Sequence, residues 1–394
     1  MRSSLPHVSL LVAVLTLGVA GPAVADSAGQ AVEFAAPDGV QLRATYWSAG
    51  KPGPGVLLLH MCNSDRRAWS GLGQRLAARG LHALALDYRG YGESAGERSP
   101  DPQTQQRNIT DNWPGDVDAG YEFLRSKLGS DAPILGAAGG SCGVNQSIQL
   151  ARRHPEVRTL ALLAGNTNRA GEEFLAATPW MPLLAAAARD DDGAVEGMRW
   201  VIGFSGHAGN VLKEYADGGH GTAIFARHAD LEPTIADWFV RHLVTSPVRP
   251  EPAAPVRPSS VGPSAELAAL LRSPGGVAAL RARHAAAQAK REPSQYPPEE
   301  VVNRLGYEML QNGNAAQAIE LFELNVELHP DSANTYDSLA DGFVAAGKPD
   351  LARQQATKAI ARLPADPAED DPGQKAIRDS AQAKLRVPAT SGGS

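Results

Sequence analysis

The sequence predicts a doubly wound, mostly parallel α/β sheet followed by a small all-α unit. Three observations carry the prediction. Residues 31–246 alternate short apolar runs with amphipathic stretches, the pattern of strands covered on both faces by helices. One of those runs breaks into small residues and then a helical pattern, "ILGAAGGSCGV" over 134–144, as a strand-to-helix turn at the edge of such a sheet requires. A third stretch, 301–364, repeats itself at an offset of 34 residues, the length of two packed antiparallel helices.

In chain order, the first element is a targeting pattern. Arg2 precedes an apolar run over 8–20, and Ala23-Val24-Ala25 fits a small-residue cleavage site. The run is short for a bilayer span. Residues 1–25 therefore read as a cleavable signal peptide, with an uncleaved anchor as the alternative. No stable membrane span is expected in the mature chain, and its expected location is periplasmic or secreted.

Residues 26–246 read as the sheet domain. Strand-like runs fall at 42–47, 56–60, 82–87, 133–139, 159–164, 183–188 and 212–215, several of them apolar throughout. Helical stretches lie near 71–79, 111–128, 144–153, 194–202 and 233–243. Residues 247–263, "PVRPEPAAPVRPSSVGP", are proline-rich and predict an extended linker. A helical connector follows over 264–298, with helices near 264–272 and 275–291. Within 299–386, Leu305-Gly306 recurs as Leu339-Ala340, Asn312-Gly313 as Ala346-Gly347, Ala318 as Ala352 and Pro330 as Pro364. Two such repeats bury little alone, so a helix near 374–384 is expected to cap one end and the connector helices the other. Residues 387–394 read as a disordered tail.

Composition excludes several functions. The chain has 394 residues, 43% hydrophobic and 20% charged, with a net charge of −6. Nucleic-acid binding would normally need a basic face, so no nucleic-acid partner is expected. There is no Walker loop, no dinucleotide fingerprint and no His-Glu-x-x-His, so neither a cofactor nor a metal is expected. The two cysteines, Cys62 and Cys142, lack metal-site spacing and are too few for a disulfide framework.

Ser141 and Cys142 stand side by side as candidate nucleophiles. A nucleophile on a sharp strand-to-helix turn needs small neighbours two residues away on each side. Ser141 has Gly139 and Gly143 there; Cys142 has Gly140 and the branched Val144. The spacing favours Ser141.

"VLLLHMCNSDRRAW", "LALDYRGYGES", "GGSCG", "PLLAAAARDDD" and "GGHG", in that order, resemble the successive landmarks of the α/β-hydrolase family over about residues 31–246. The likeness is to its dienelactone-hydrolase and small-esterase branches. The repeat region, especially "ELFELNVELHPDSANTYDSLAD", is similar to the tetratricopeptide tail of some secreted bacterial hydrolases. The resemblance implies Ser141 as nucleophile and His220 as general base. It implies Asp191 as the acid, with Asp190 as the alternative. It also implies an oxyanion hole from the backbone N–H groups of Cys62 and Cys142. The family usually has His-Gly where this chain has His60-Met61, which leaves open how that loop is held, because glycine adopts backbone angles that methionine resists. If both donors are cysteines, two arrangements are open: a disulfide across the hole in an oxidising compartment, or two separate thiols.

The expected function is that of a serine hydrolase, a carboxylesterase or dienelactone-hydrolase-like enzyme that cleaves a small ester or related acyl substrate. Its expected partners are that substrate and, through the repeats, another protein or a second copy. The alternative is a catalytically weak hydrolase-fold scaffold that binds proteins through its repeats. About twenty residues separate Ala164 from Leu183, which leaves no room for a large lid and predicts an open, shallow site.

Overall fold

The strands of the sheet are β1 (Gln30–Ala35), β2 (Gln41–Trp47), β3 (Gly55–Leu59), β4 (His82–Leu86), β5 (Leu135–Gly140), β6 (Val157–Leu163), β7 (Leu183–Ala188) and β8 (Val211–Tyr215). The computed structural model describes residues 29–129, 134–249, 262–290, 297–364 and 372–386. The signal-peptide reading of 1–25, most of the proline-rich linker and the tail reading of 387–394 lie outside the described residues. The sheet order is β1-β2-β4-β3-β5-β6-β7-β8. β2 runs antiparallel to both its neighbours, and every pair from β4 through β8 is parallel. This is the α/β-hydrolase fold.

The helices of the sheet domain are α1 (Ser70–Ala78), α2 (Pro102–Arg107), α3 (Trp113–Lys127), α4 (Cys142–Arg153), α5 (Arg169–Ala177), α6 (Ala194–Ile202) and α7 (Leu231–Val240). Strand residues alternate between two cores, as a period of two requires. Val56 and Leu58 pack with Leu72 and Leu76 of α1 and Ile235 and Phe239 of α7. Leu57 and Leu59 pack with Val117 and Tyr121 of α3 and Val144 and Ile148 of α4.

This topology fixes where a site can form. β3 and β5 are neighbours, but the chain leaves β3 toward β4 and leaves β5 toward β6, in opposite directions. The loops at their carboxyl ends separate there and open a crevice. Leu59 is level with Gly139 in the ladder, so the loop holding Cys62 and the turn holding Ser141 start side by side.

The helices beyond residue 262 are α8 (Pro263–Arg272), α9 (Gly276–Lys290), α10 (Glu299–Gln311), α11 (Ala315–Leu328), α12 (Ala333–Ala345), α13 (Pro349–Ile360) and α14 (Pro372–Leu385). Two helical hairpins, α10 with α11 and α12 with α13, start 34 residues apart. A Cβ on Gly306 of α10 would enter the Phe322 ring of α11, which is why a small residue stands there and Ala340 at the equivalent place. α14 closes one end of the array: Lys384 Nζ reaches Asp337 at 2.8 Å and Asp341 at 2.9 Å. At the other end, Arg281 of α9 forks onto Glu327 of α11, its shorter contact 2.6 Å.

The array docks on the sheet domain. Leu267, Ala268 and Leu271 of α8 share one apolar cluster with Leu175 of α5 and Phe204. The Glu172 carboxylate on α5, with 2% of its side chain exposed, accepts from Trp200 Nε1 at 3.3 Å, from Arg272 of α8 at 2.9 Å and from Arg304 of α10. Removing one partner of such a buried ion cluster is strongly destabilising, so Glu172 is the electrostatic pin of the docking. The linker pattern gave no sign of this contact.

Candidate active site

Ser141 sits between β5 and α4 with φ 50° and ψ −116°. Side-chain-bearing residues rarely adopt such angles, which cost on the order of 1–3 kcal/mol and persist only where the surroundings enforce them. Here the Ser141 N–H donates to the Leu163 carbonyl at 2.9 Å, and the Ser141 carbonyl accepts from Val144 N–H at 2.9 Å. The two flanking glycines are needed for clearance. A Cβ on Gly139 would collide with the Gly143 carbonyl, and one on Gly143 with the Leu59 carbonyl. Gly143→Ala is therefore expected to push α4 away from β3 and lower stability by roughly 1–3 kcal/mol, measured by denaturant unfolding. The strained position is Ser141; Cys142 is already the first residue of α4.

Cys142 and Cys62 form a disulfide, with their Cα atoms 5.6 Å apart. Of the two arrangements left open by the sequence, the structure has the bridge. As the first residue of α4, Cys142 has no intrahelical acceptor for its N–H. The Cys62 N–H also has no acceptor among the described residues. Neither N–H is therefore taken up by a backbone acceptor.

The loop carrying Cys62 is set by buried His60. Tyr88 N–H can only donate, and it meets His60 Nε2 at 3.3 Å, so the imidazole proton lies on Nδ1 and is donated to the Met61 carbonyl at 2.6 Å. Burial holds the His60 pKa below the ordinary value, countered only in part by that bond to Met61 and the nearby Asp87 and Asp65 charges, which keeps the ring neutral. Among the described residues, the side-chain-bearing positions with positive φ are Ser141 and Ala164. Met61 is not one of them, so this loop does not need the glycine usual in the family. The Met61 side chain is used instead as a wedge: a Cβ on Gly140 would lie 3.2 Å from Met61 Cγ, and one on Gly221 would run into Met61 Sδ.

β7 and β8 end level, with Ala188 opposite Tyr215. The loops that follow bring Asp191 and His220 together: His220 Nδ1 lies 2.7 Å from Asp191 Oδ2. Asp190 points elsewhere, accepting from Gly218 N–H at 3.0 Å and Gly219 N–H at 2.9 Å. Those two bonds hold the Asp190 pKa below the usual carboxylate range and fix the loop that presents His220. The bond to Asp191 is the main cause of a raised His220 pKa, opposed by partial burial and aided by the charges of Asp191 and Glu300. The turn after His220 packs against the serine turn, since a Cβ on Gly140 would lie 3.4 Å from Thr222 Cγ2.

"DYRGYGES" is a structural loop. Asp87, fully buried, accepts from Arg66 N–H at 2.7 Å and Glu93 N–H at 2.9 Å, and Tyr88 stacks on Trp113. Sequence reasoning missed Glu300; Asn166 lies in the polar stretch after Ala164 that it expected to border the site. Asn166 follows Gly165, where a Cβ would sit 2.5 Å from the Ser141 carbonyl, and its amide donates to Glu300 of α10 at 3.2 Å. No local signal links residues so far apart in sequence. Through this bond the helical array touches the loop that follows β6.

Residues 50–190 match the family model described as serine aminopeptidase, S33. That stretch contains the serine turn and ends one residue before Asp191. Over 158 residues, 40% of this chain, the sequence is 30% identical to an uncharacterized protein of Mycobacterium tuberculosis. The chain spans about half the length of that curated relative, 52%. Solved structures similar to this chain include the esterase Pf2001 of Pyrococcus furiosus (17% identity, TM-score 0.43, covering 54% of this chain and 92% of that one). Another is an esterase from Exiguobacterium antarcticum (15% identity, TM-score 0.39, covering 53% and 99%). A third is a putative α/β hydrolase of unknown function from Agrobacterium tumefaciens (17% identity, TM-score 0.43, covering 57% and 100%).

Proposed function

We propose that this chain is a serine hydrolase that cleaves a small ester or a related acyl compound through Ser141, His220 and Asp191. The observation that carries the reading is the Asp191–His220 hydrogen bond, 2.7 Å long, at the same sheet edge as the strained Ser141 turn. Ser141 Oγ attacks the substrate carbonyl while His220 Nε2 takes its proton. Asp191 accepts the Nδ1–H, fixing the tautomer and stabilising the imidazolium. The Cys62 and Cys142 N–H groups receive the oxyanion, a contribution that typically amounts to 10²–10³-fold per donor. Collapse of the tetrahedral intermediate breaks the acyl–oxygen bond, and His220 returns its proton to the leaving alcohol. Water, deprotonated by His220, then attacks the acyl-enzyme; the bond from the acyl carbon to Ser141 Oγ breaks, His220 returns the proton to Ser141 Oγ, and the acid leaves.

Expressed without residues 1–25, the protein tests this reading directly. Hydrolysis across a panel of aryl and alkyl esters is expected; no turnover on any of them would sink it.

The base must be neutral to act. Because Asp191 raises the His220 pKa, the acidic limb of kcat/KM is expected to turn on above the ordinary imidazole value of 6.5. Activity is lost as pH falls through that point and the ring becomes charged. Asp191→Asn should move the limb down toward the ordinary value, read from a pH–rate profile. A limb that does not move would mean another group titrates.

The signal-like residues 1–25 and the disulfide together support a periplasmic or secreted location, since such bridges persist in oxidising compartments. The 34-residue hairpins support the tetratricopeptide reading of the array and a role in docking a protein partner or a second copy.

A further inference from the structure

The Glu172 pin and the Asn166–Glu300 bond give the helical array a role beyond attachment. Glu300 and Arg304 are four residues apart, hence on one face of α10. Arg304 is fixed to Glu172 on α5, and Glu300 is fixed to Asn166, one residue beyond the glycine packed against the Ser141 carbonyl. α10 is therefore tied at two points to the sheet domain, through Arg304 to α5 and through Glu300, in its first turn, to the loop that leaves β6. Its two acidic residues are used differently. Glu299 Oε1 is bound within the array, accepting from Ser332 at 2.9 Å and Asn334 at 3.0 Å. Glu300 is exposed, its partner is a neutral amide, and among the described residues no arginine or lysine pairs with it. The Glu300 charge is also one of those felt by the His220 ring.

We propose that the C-terminal array forms a wall of the active site, and that Glu300 is a specificity-determining residue favouring substrates with a cationic group near the scissile bond. The inference rests on the serine-hydrolase reading. A carboxylate here attracts a positive substituent and repels a negative one while leaving the acyl transfer to Ser141 and His220. Specificity for charge would thus come from a segment more than a hundred residues beyond the nucleophile.

The test uses the full mature chain and two aryl acetates that differ only in carrying a trimethylammonium or a sulfonate group on the ring. The wild-type protein should prefer the cationic ester. Glu300→Gln should lower the cation-to-anion ratio of kcat/KM about tenfold, Glu300→Arg should invert it, and Glu300→Asp should keep most of it. The preference should weaken as salt is raised. A fluorophosphonate label on Ser141 of the wild-type protein separates the two levels of the claim. A normal label with an unchanged ratio in Glu300→Gln overturns the assignment of Glu300 alone. No label on the wild-type protein overturns the hydrolase reading, and this inference with it.

Discussion

Ser141→Ala should lower kcat/KM for an ester by roughly 10⁴-fold or more, with the protein still folded. The loss is large because the neighbouring sulfur cannot replace the hydroxyl. Cys142 is next in sequence, but its sulfur is tied to Cys62, and its backbone has already entered α4. Without the Ser141 oxygen, His220 can at best activate water, aided by donors that still hold the oxyanion. The substitution should not disturb the turn, whose geometry is set by the Leu163 and Val144 backbone bonds and by the two flanking glycines. It should slightly stabilise or leave stability unchanged, since alanine carries no polar side chain at that strained position. Circular dichroism and thermal unfolding would confirm the fold while stopped assays measure the loss. Retention of more than about a tenth of the activity would contradict the assignment.

The second large effect is expected from the disulfide. It closes a separation of 80 residues, for which the chain-entropy account gives about 4.5 kcal/mol of stability. It also ties the Cys62 loop to the first residue of α4, so it fixes the spacing of the two proposed oxyanion donors. Losing one such donor outright costs about 10²–10³-fold in rate; freeing both while leaving them in place should cost less, roughly tenfold. The double variant Cys62→Ala, Cys142→Ala is the cleaner test, because both backbone N–H groups remain. Activity should be measured well below its unfolding transition, so that lost stability and lost positioning are read separately. A lower melting point with full activity would leave the bridge a staple and nothing more. Thiol titration of the denatured, unreduced protein should find no free thiol.

Much of this was legible in the sequence, for identifiable reasons. β3, β5 and β7 are buried on both faces, so their residues are apolar or small throughout and stand out as runs. β1 was missed because "QAVEFA" lies at the sheet edge, mostly exposed, and its apolar residues merely alternate. α5 was missed because "GNTNRAGEEF" is polar; the clue was Asn168, whose side chain caps the helix by accepting from Gly171 N–H at 3.0 Å. Asp190 and Asp191 could not be told apart from composition. Their roles depend on which way each side chain leaves a turn, and only the paired loops after β7 and β8 reveal it. Glu172 and Glu300 were illegible for a different reason. Their meaning lies in partners up to 134 residues away, across a proline-rich stretch that reads as a spacer. The methionine in place of glycine after His60 looked like a defect in the oxyanion loop. The structure makes it a wedge between the serine turn and the histidine turn, held by an imidazole whose tautomer is set by Tyr88.

The most direct measurement is site mapping of a fluorophosphonate adduct. The mature protein is labelled, digested and sequenced by mass spectrometry, with and without acid pretreatment to protonate His220. The account predicts one adduct, on Ser141 Oγ, forming faster as pH rises through the His220 pKa and absent in Ser141→Ala. An adduct on any other residue, or one on Ser141 whose rate ignores pH, would contradict it.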